Sequence, residues 1–142
     1  MGTQALVAKA RIKALCDTAL VGSGVGVTYG PVRSPEAAWL MVGRVAYEAT
    51  TWAAVGARKR SETFTVALML NYKAVGKSCP DAEAAVIGWV NLVEAALRAD
   101  PSLGGLTVAG VAMIPTDLIS QPLPDASEAQ WSGLIRVSDV RI

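Results

Sequence analysis

The chain contains no histidine, and that absence removes more chemistry than any residue present supplies. Without an imidazole there is no Ser–His or Cys–His nucleophile pair, none of the commonest zinc ligand sets and no histidine acid–base dyad. The acidic residues are scattered, and only Asp81 and Glu83 stand close together. Both fall where a helix is expected to begin, and the helix dipole accounts for carboxylates there without a catalytic or metal role. Cys79 sits beside them, at a helix N-terminus where a thiolate would be favoured, but no base accompanies it. Cys16 and Cys79 are too few and too far apart for a zinc or disulfide framework, and are expected as buried thiols. The sequence therefore offers no catalytic residue, no metal ligand set and no cofactor motif. A small enzyme or ligand-binding domain built on Cys79 is the alternative it leaves open.

Two further clusters could bind rather than react. Arg58, Lys59 and Arg60 form a basic triplet that would neutralise about three phosphates, which gives a salt slope of only about −3 and weak nucleic-acid binding. A solvated rim or a protein contact is the better expectation. The tryptophans at 39, 52, 89 and 131 are not interleaved with basic residues, so packing is expected rather than base stacking. The glycine run Gly22–Gly26 follows a helix and precedes a strand, the reverse of the order that sets phosphate on a helix N-terminus, and reads as a connector.

The stretch Arg58–Tyr72 anchors the elements. Phe64, Val66, Leu68 and Leu70 alternate along one face of a strand that opens at the basic triplet, itself placed at a loop-to-strand junction. The other face carries Ala67 and Met69, so the strand is expected to be central and covered on both sides. Before it, Thr3 caps a helix with the stripe Ala5, Ala8, Ile12, Leu15, Cys16 and Ala19, ending near Val21-Gly22. Short strands follow at Val27–Tyr29 and Ala38–Val42, the latter continuing past a kink at Gly43 toward Tyr47. Pro31 to Pro35 reads as a turn, and Val55-Gly56 as the start of a loop. After the long strand, Ser78 or Cys79 caps a second helix with Pro80 at its first position and Arg98 in its last turn. Its buried stripe is Ala82, Ala85, Val86, Trp89, Val93 and Leu97. Leu106–Ile114 is a strand closed by Pro115, and Trp131–Ile142 a final one. Between them, residues 116–129 carry Pro122 and Pro124 and read as a long loop, whose Leu118, Ile119 and Leu123 argue for docking as an arm on a neighbour. The fold class is α+β, a mixed or antiparallel sheet of about four to five strands against two helices, in one domain spanning 1–142.

Composition sets outer bounds. Thirteen basic and twelve acidic residues give a net charge of +1, so there is no basic field for duplex binding. Hydrophobic residues make up 52% and charged ones 18%, more apolar than usual for a soluble monomer of this size, and part of that excess is expected in a subunit interface. The longest uncharged runs, Thr18–Val32 and Ser102–Thr116, fall short of the ~20 residues a membrane span needs. Lys9, Arg11 and Lys13 interrupt the apolar N-terminus where a signal peptide would not, so a cytosolic protein is expected.

The order of features resembles the tail terminator and head-to-tail joining proteins of long-tailed bacteriophages. The matching pieces are Gly56-Ala57-Arg58-Lys59-Arg60-Ser61-Glu62 leading into Phe64–Leu68, the turn Asp100-Pro101-Ser102-Leu103-Gly104-Gly105, and the terminal strand near Gly133–Arg141. The Gly22–Gly26 connector and the Pro122/Pro124 stretch lie outside the match. The resemblance implies a non-enzymatic structural subunit of the virion tail, assembled in the host cytoplasm. It further implies a homo-oligomeric ring, usually a hexamer, that caps the tail tube and meets the head connector. DNA would pass through without sequence-specific binding, and no cofactor or membrane is involved. Arg58, Lys59, Arg60, Leu118, Ile119 and Leu123 are the expected interface residues, and another head–tail joining or tail-tube subunit is the neighbouring alternative.

Overall fold

The computed structural model describes residues 3–30, 37–54, 59–107 and 110–141, with the backbone alone for 49–54, 59, 60, 139 and 141. The elements run α1 (Ala5–Ala19), β1 (Val25–Tyr29), β2 (Ala38–Ala54), β3 (Lys59–Val75), α2 (Cys79–Ala99), β4 (Val111–Leu123) and β5 (Ala126–Arg141). This is an α+β fold with a five-stranded mixed sheet in the order β1-β2-β3-β5-β4. β1 runs parallel to β2, and every other neighbouring pair is antiparallel. The expected turn at Pro31–Pro35 and the loop start at Val55-Gly56 lie outside the described residues.

The long strand is central, between β2 and β5, and its even-numbered residues hold the fold together. Phe64, Val66, Leu68 and Leu70 are fully buried, a contribution on the order of 6–12 kcal/mol before chain entropy opposes it. They meet Ala5, Ala8, Ile12 and Cys16 of α1, and Val86, Val93 and Leu97 of α2, in one core cluster. Both helices therefore lie on the same face of the sheet, which corrects the expectation that β3 is covered on both sides. Ala67 and Met69, on the opposite face, are only half-buried, and no described element packs over them.

α1 is as the stripe predicts, except at its start. Gln4 occupies the N-cap and makes no side-chain cap. The buried Glu62 of β3, 4% exposed, accepts hydrogen bonds from the Gln4 N–H at 2.8 Å and the Thr3 hydroxyl at 2.6 Å. A carboxylate from 58 residues away thus satisfies the N-cap amide, the donor that a Glu or Gln at the third helical position of a capping box usually would; Val7 stands there instead. α2 begins as expected, with the Ser78 Oγ accepting from the Asp81 N–H at 3.4 Å and Pro80 in the first turn. Trp89 packs edge-on to Tyr72 with ring centroids 5.0 Å apart.

The largest departure concerns the expected loop over 116–129. β4 does not stop at Pro115 but runs to Leu123, and β5 begins at Ala126, with Leu123 opposite Ala126 across a two-residue turn. Two facts reconcile the prolines with a strand. β4 is an edge strand, where a missing N–H can face outward, and the register shifts between Pro115 and Asp117 as a bulge. The start of β4 moves the other way: Leu106 is in a turn, Thr107 makes a single bridge to Val140, and regular pairing begins at Val111.

Candidate partner interface

Interface residues are recognised by what the fold leaves exposed and unmatched, so the sites follow from the sheet's faces and edges. On the face away from the helices, the register brings Trp39, Met41, Met69 and Leu134 to the middle of the sheet. Each is half-buried. Ile114 and Ile119 of β4 extend this strip to the sheet's edge, opposite Leu134 and Gln130, and Ile119 is 59% exposed. Asn71, Gln130 and Ser132 interleave with it. The result is a bare sheet face with an apolar strip interleaved with polar residues and flanked by the Arg136–Glu48 ion pair, a mixture found on surfaces that meet another protein.

A second feature lies on the helix side, where α2 and β4 enclose a groove. One part, about 310 Å³, is lined by Ile87, Val90, Met113, Leu118 and Trp131, with Asn91, Glu94 and Asp117 at its polar margin. It continues past Glu94 and Met113 into a second part of about 350 Å³ beside Leu97 and Val111. Glu94 pairs with Arg98 on α2, and among the described residues no ion pair engages Asp117. Trp131, which lines the groove, lies over Gly133, where an added Cβ would run into the indole.

The sequence-predicted interface residues are not brought together. Leu118 lines the groove, 41% exposed; Ile119 faces the bare side of the sheet; Leu123, half-buried, closes the hairpin. Lys59 and Arg60 are strand residues of β3, paired with Ala54 and Trp52 of β2, not a loop as expected. The register of a β-ladder draws them into the sheet. They stand at the opposite end of β3 from the hairpin turn, on the order of 50 Å along the strand, and Arg58 lies outside the described residues. Sequence reasoning missed the bare face, although the apolar second face of β3 was its signal: two amphipathic helices suffice for one side of five strands, not both.

Cys79 is half-buried in the first turn of α2 and lines neither part of the groove. Cys16 is enclosed in the core, where burial, reinforced by the neighbouring Asp17 and opposed by Lys13, pushes its thiol up to about 12. Among the described residues no three metal-ligating side chains gather, and no helix is long and apolar enough to cross a membrane.

No family model matches the chain, and no curated protein sequence does. Among solved structures it is similar to a chain in the virion of a native gene transfer agent particle, at 14% identity over 94% of this chain and 91% of that chain, with a TM-score of 0.43. A likeness at this level establishes neither family nor function.

Proposed function

We propose that this chain is a structural, non-enzymatic subunit of a long-tailed phage virion, forming a closed ring that caps the tail tube and joins it to the head connector. The observation that carries the reading is the apolar strip of Trp39, Met41, Met69 and Leu134 on the bare face of the sheet. A strip of that kind stabilises a complex and is a liability to a lone chain. The resemblance of the Arg58–Glu62 entry, the Asp100–Gly105 turn and the terminal strand to tail terminators supports a tail-end ring as the kind of complex. Six subunits are the number the resemblance implies. The near-neutral charge suits a channel through which DNA must slide, since a strongly basic lumen would retain it.

Electron microscopy and native mass measurement of the purified protein test this. Closed rings of one defined size are expected, and they should join to tubes of the tail-tube protein. Open tubes of this chain alone would make it a tube subunit instead, because a head-to-tail contact closes or propagates according to its rotation. Alkylating Cys79 should leave ring formation unchanged; loss of an enzymatic or ligand-binding activity on alkylation would favour the Cys79 alternative.

A further inference from the structure

We infer that neighbouring copies meet edge to edge in one specific way, the α1–β1 flank of one subunit seated against the α2–β4 groove of the next. The inference rests on the ring reading and assigns the surfaces that would make it. The two edges of the sheet are β1 and β4, and the helices follow them: α1 packs over β1 and β2, while α2 packs over β3, β5 and β4. Each edge combines apolar and charged groups: Lys9 and the Lys13–Asp17 pair leave one net positive, while Asp117 and the Glu94–Arg98 pair leave the other net negative. On the α1 side, Lys9 lies 4.3 Å above the ring of Tyr29, itself 44% exposed, and Leu6 beside it is 65% exposed. Lys13, one turn on from Lys9, reaches Asp17 at 2.6 Å but stays solvent-accessible. At the other edge the groove offers Leu118, Ile87 and Met113 as an apolar floor, with Asp117 and the Glu94–Arg98 pair on its margin.

The pieces fit by chemistry and by hand. Leu6 and Tyr29 are the apolar groups that an apolar groove would take, and the net positive charge around Lys9 and Lys13 meets the net negative charge around Asp117 and Glu94. Because the two surfaces differ, the contact is heterologous, the type that generates rings. A backbone ladder along the whole of β4 could not make this contact, since Pro115 and Pro122 lack an N–H and the strand bulges after Pro115. Side chains rather than a continued ladder therefore carry it.

Charge reversal tests it. In one variant Lys9→Glu and Lys13→Glu make both edges acidic; in another, Glu94→Lys and Asp117→Lys make both basic. Circular dichroism and thermal unfolding establish that each is folded. Sedimentation equilibrium should then show each self-associating at least tenfold more weakly than wild type, and an equimolar mixture recovering wild-type assembly by alternation. Should a reversed variant fail to fold, the milder Lys9→Gln and Asp117→Asn forms replace it in the single-variant measurement, where wild-type-like assembly overturns the edge pairing, and the mixture is read only for a folded charge-reversed pair. Wild-type association should likewise weaken as added salt shortens the Debye length from about 10 Å to about 3 Å. Wild-type-like assembly of either variant, or a mixture of folded variants that stays dispersed, overturns the edge pairing and leaves the ring reading standing. A wild-type protein that is monomeric at every concentration overturns both.

Discussion

Single side chains fix the frame, and three of them make sharp claims. Glu62 links β3 to the start of α1 through Thr3 and the Gln4 N–H, and the Tyr47 hydroxyl adds a 3.0 Å hydrogen bond to Thr3. Truncating a buried acceptor leaves its donors unsatisfied, so Glu62→Ala should cost about 1–3 kcal/mol, with Gln recovering part of it because its carbonyl still accepts. A double-mutant cycle with Thr3→Val, followed by chemical denaturation, should show coupling of at least about 0.5 kcal/mol. Additive losses would mean that the carboxylate stabilises α1 without the hydroxyl. Cys16 makes a claim about pH. Its thiol rises from 9.0 to about 12 through burial first and Asp17 second, with Lys13 opposing. The folded form therefore holds its proton above pH 9, where the unfolded chain releases it. Stability is unaffected below the unfolded value, and falls by on the order of 4 kcal/mol as pH rises to the folded one. Unfolding curves of wild type and Cys16→Ala compared across this window should converge, since only the wild type carries the penalty; a constant gap would refute the assignment. Gly133 makes a claim about packing. Its absent Cβ is where the Trp131 ring lies, and Gly133→Val should cost about 1–3 kcal/mol by displacing it, read as a lowered Tm.

At the scale of elements, the sequence was most legible where local chemistry and tertiary context agree. The α2 start at Ser78-Cys79-Pro80, most of both helices' stripes and the alternation of Phe64 to Leu70 rest on short-range rules, and the structure follows them. Leu15, Ala19, Ala85 and Trp89 of the expected stripes are only half-buried, and Val90 is buried in their place on α2. It departs where long-range pairing overrides local signals. Pro115, Pro122 and Pro124 are strand breakers in isolation, yet the first two belong to an edge strand zipped to the 16-residue β5. Lys59 and Arg60 look like a loop until β2 supplies partners for them. The interface was only partly legible for the same reason: Leu118 and Ile119 were identified as surface apolar residues, but which face each takes depends on a register that sequence does not state. The correction changes what a deletion should do. Removing Leu118–Asp125 and closing the gap with Gly-Ser strips the neighbour from the half of β5 that carries Ala129 and Trp131, both buried. The shortened chain should aggregate or lose its cooperative unfolding transition, rather than survive as a subunit without its arm. A soluble variant with wild-type circular dichroism and a sharp melt would show that β4 beyond Pro115 is dispensable to the core.

For the whole molecule, the issue is how one subunit divides its unmatched surface among partners. A sheet covered on one side has two kinds of leftover, edges and a face, and a ring between a tube and a connector has two kinds of contact, lateral and axial. Edges bearing opposite charge suit the lateral contacts, and the bare face suits an axial one. Trp39 reports on that division because it lies on the bare face, whereas Trp131 is buried and Trp89 packs against Tyr72. The difference in emission between wild type and Trp39→Phe isolates its signal. On the proposed ring reading, that signal should remain open to acrylamide quenching in the isolated ring, and on joining the tail-tube protein it should shift to the blue and lose accessibility as apolar surface leaves water. Ile119→Lys, at the exposed end of the same strip, should change folding stability by no more than about 0.5 kcal/mol while weakening the junction to the tube. Protection of Trp39 in the ring by itself would reverse the assignment, making the bare face the lateral contact and leaving the edges to the tube and connector.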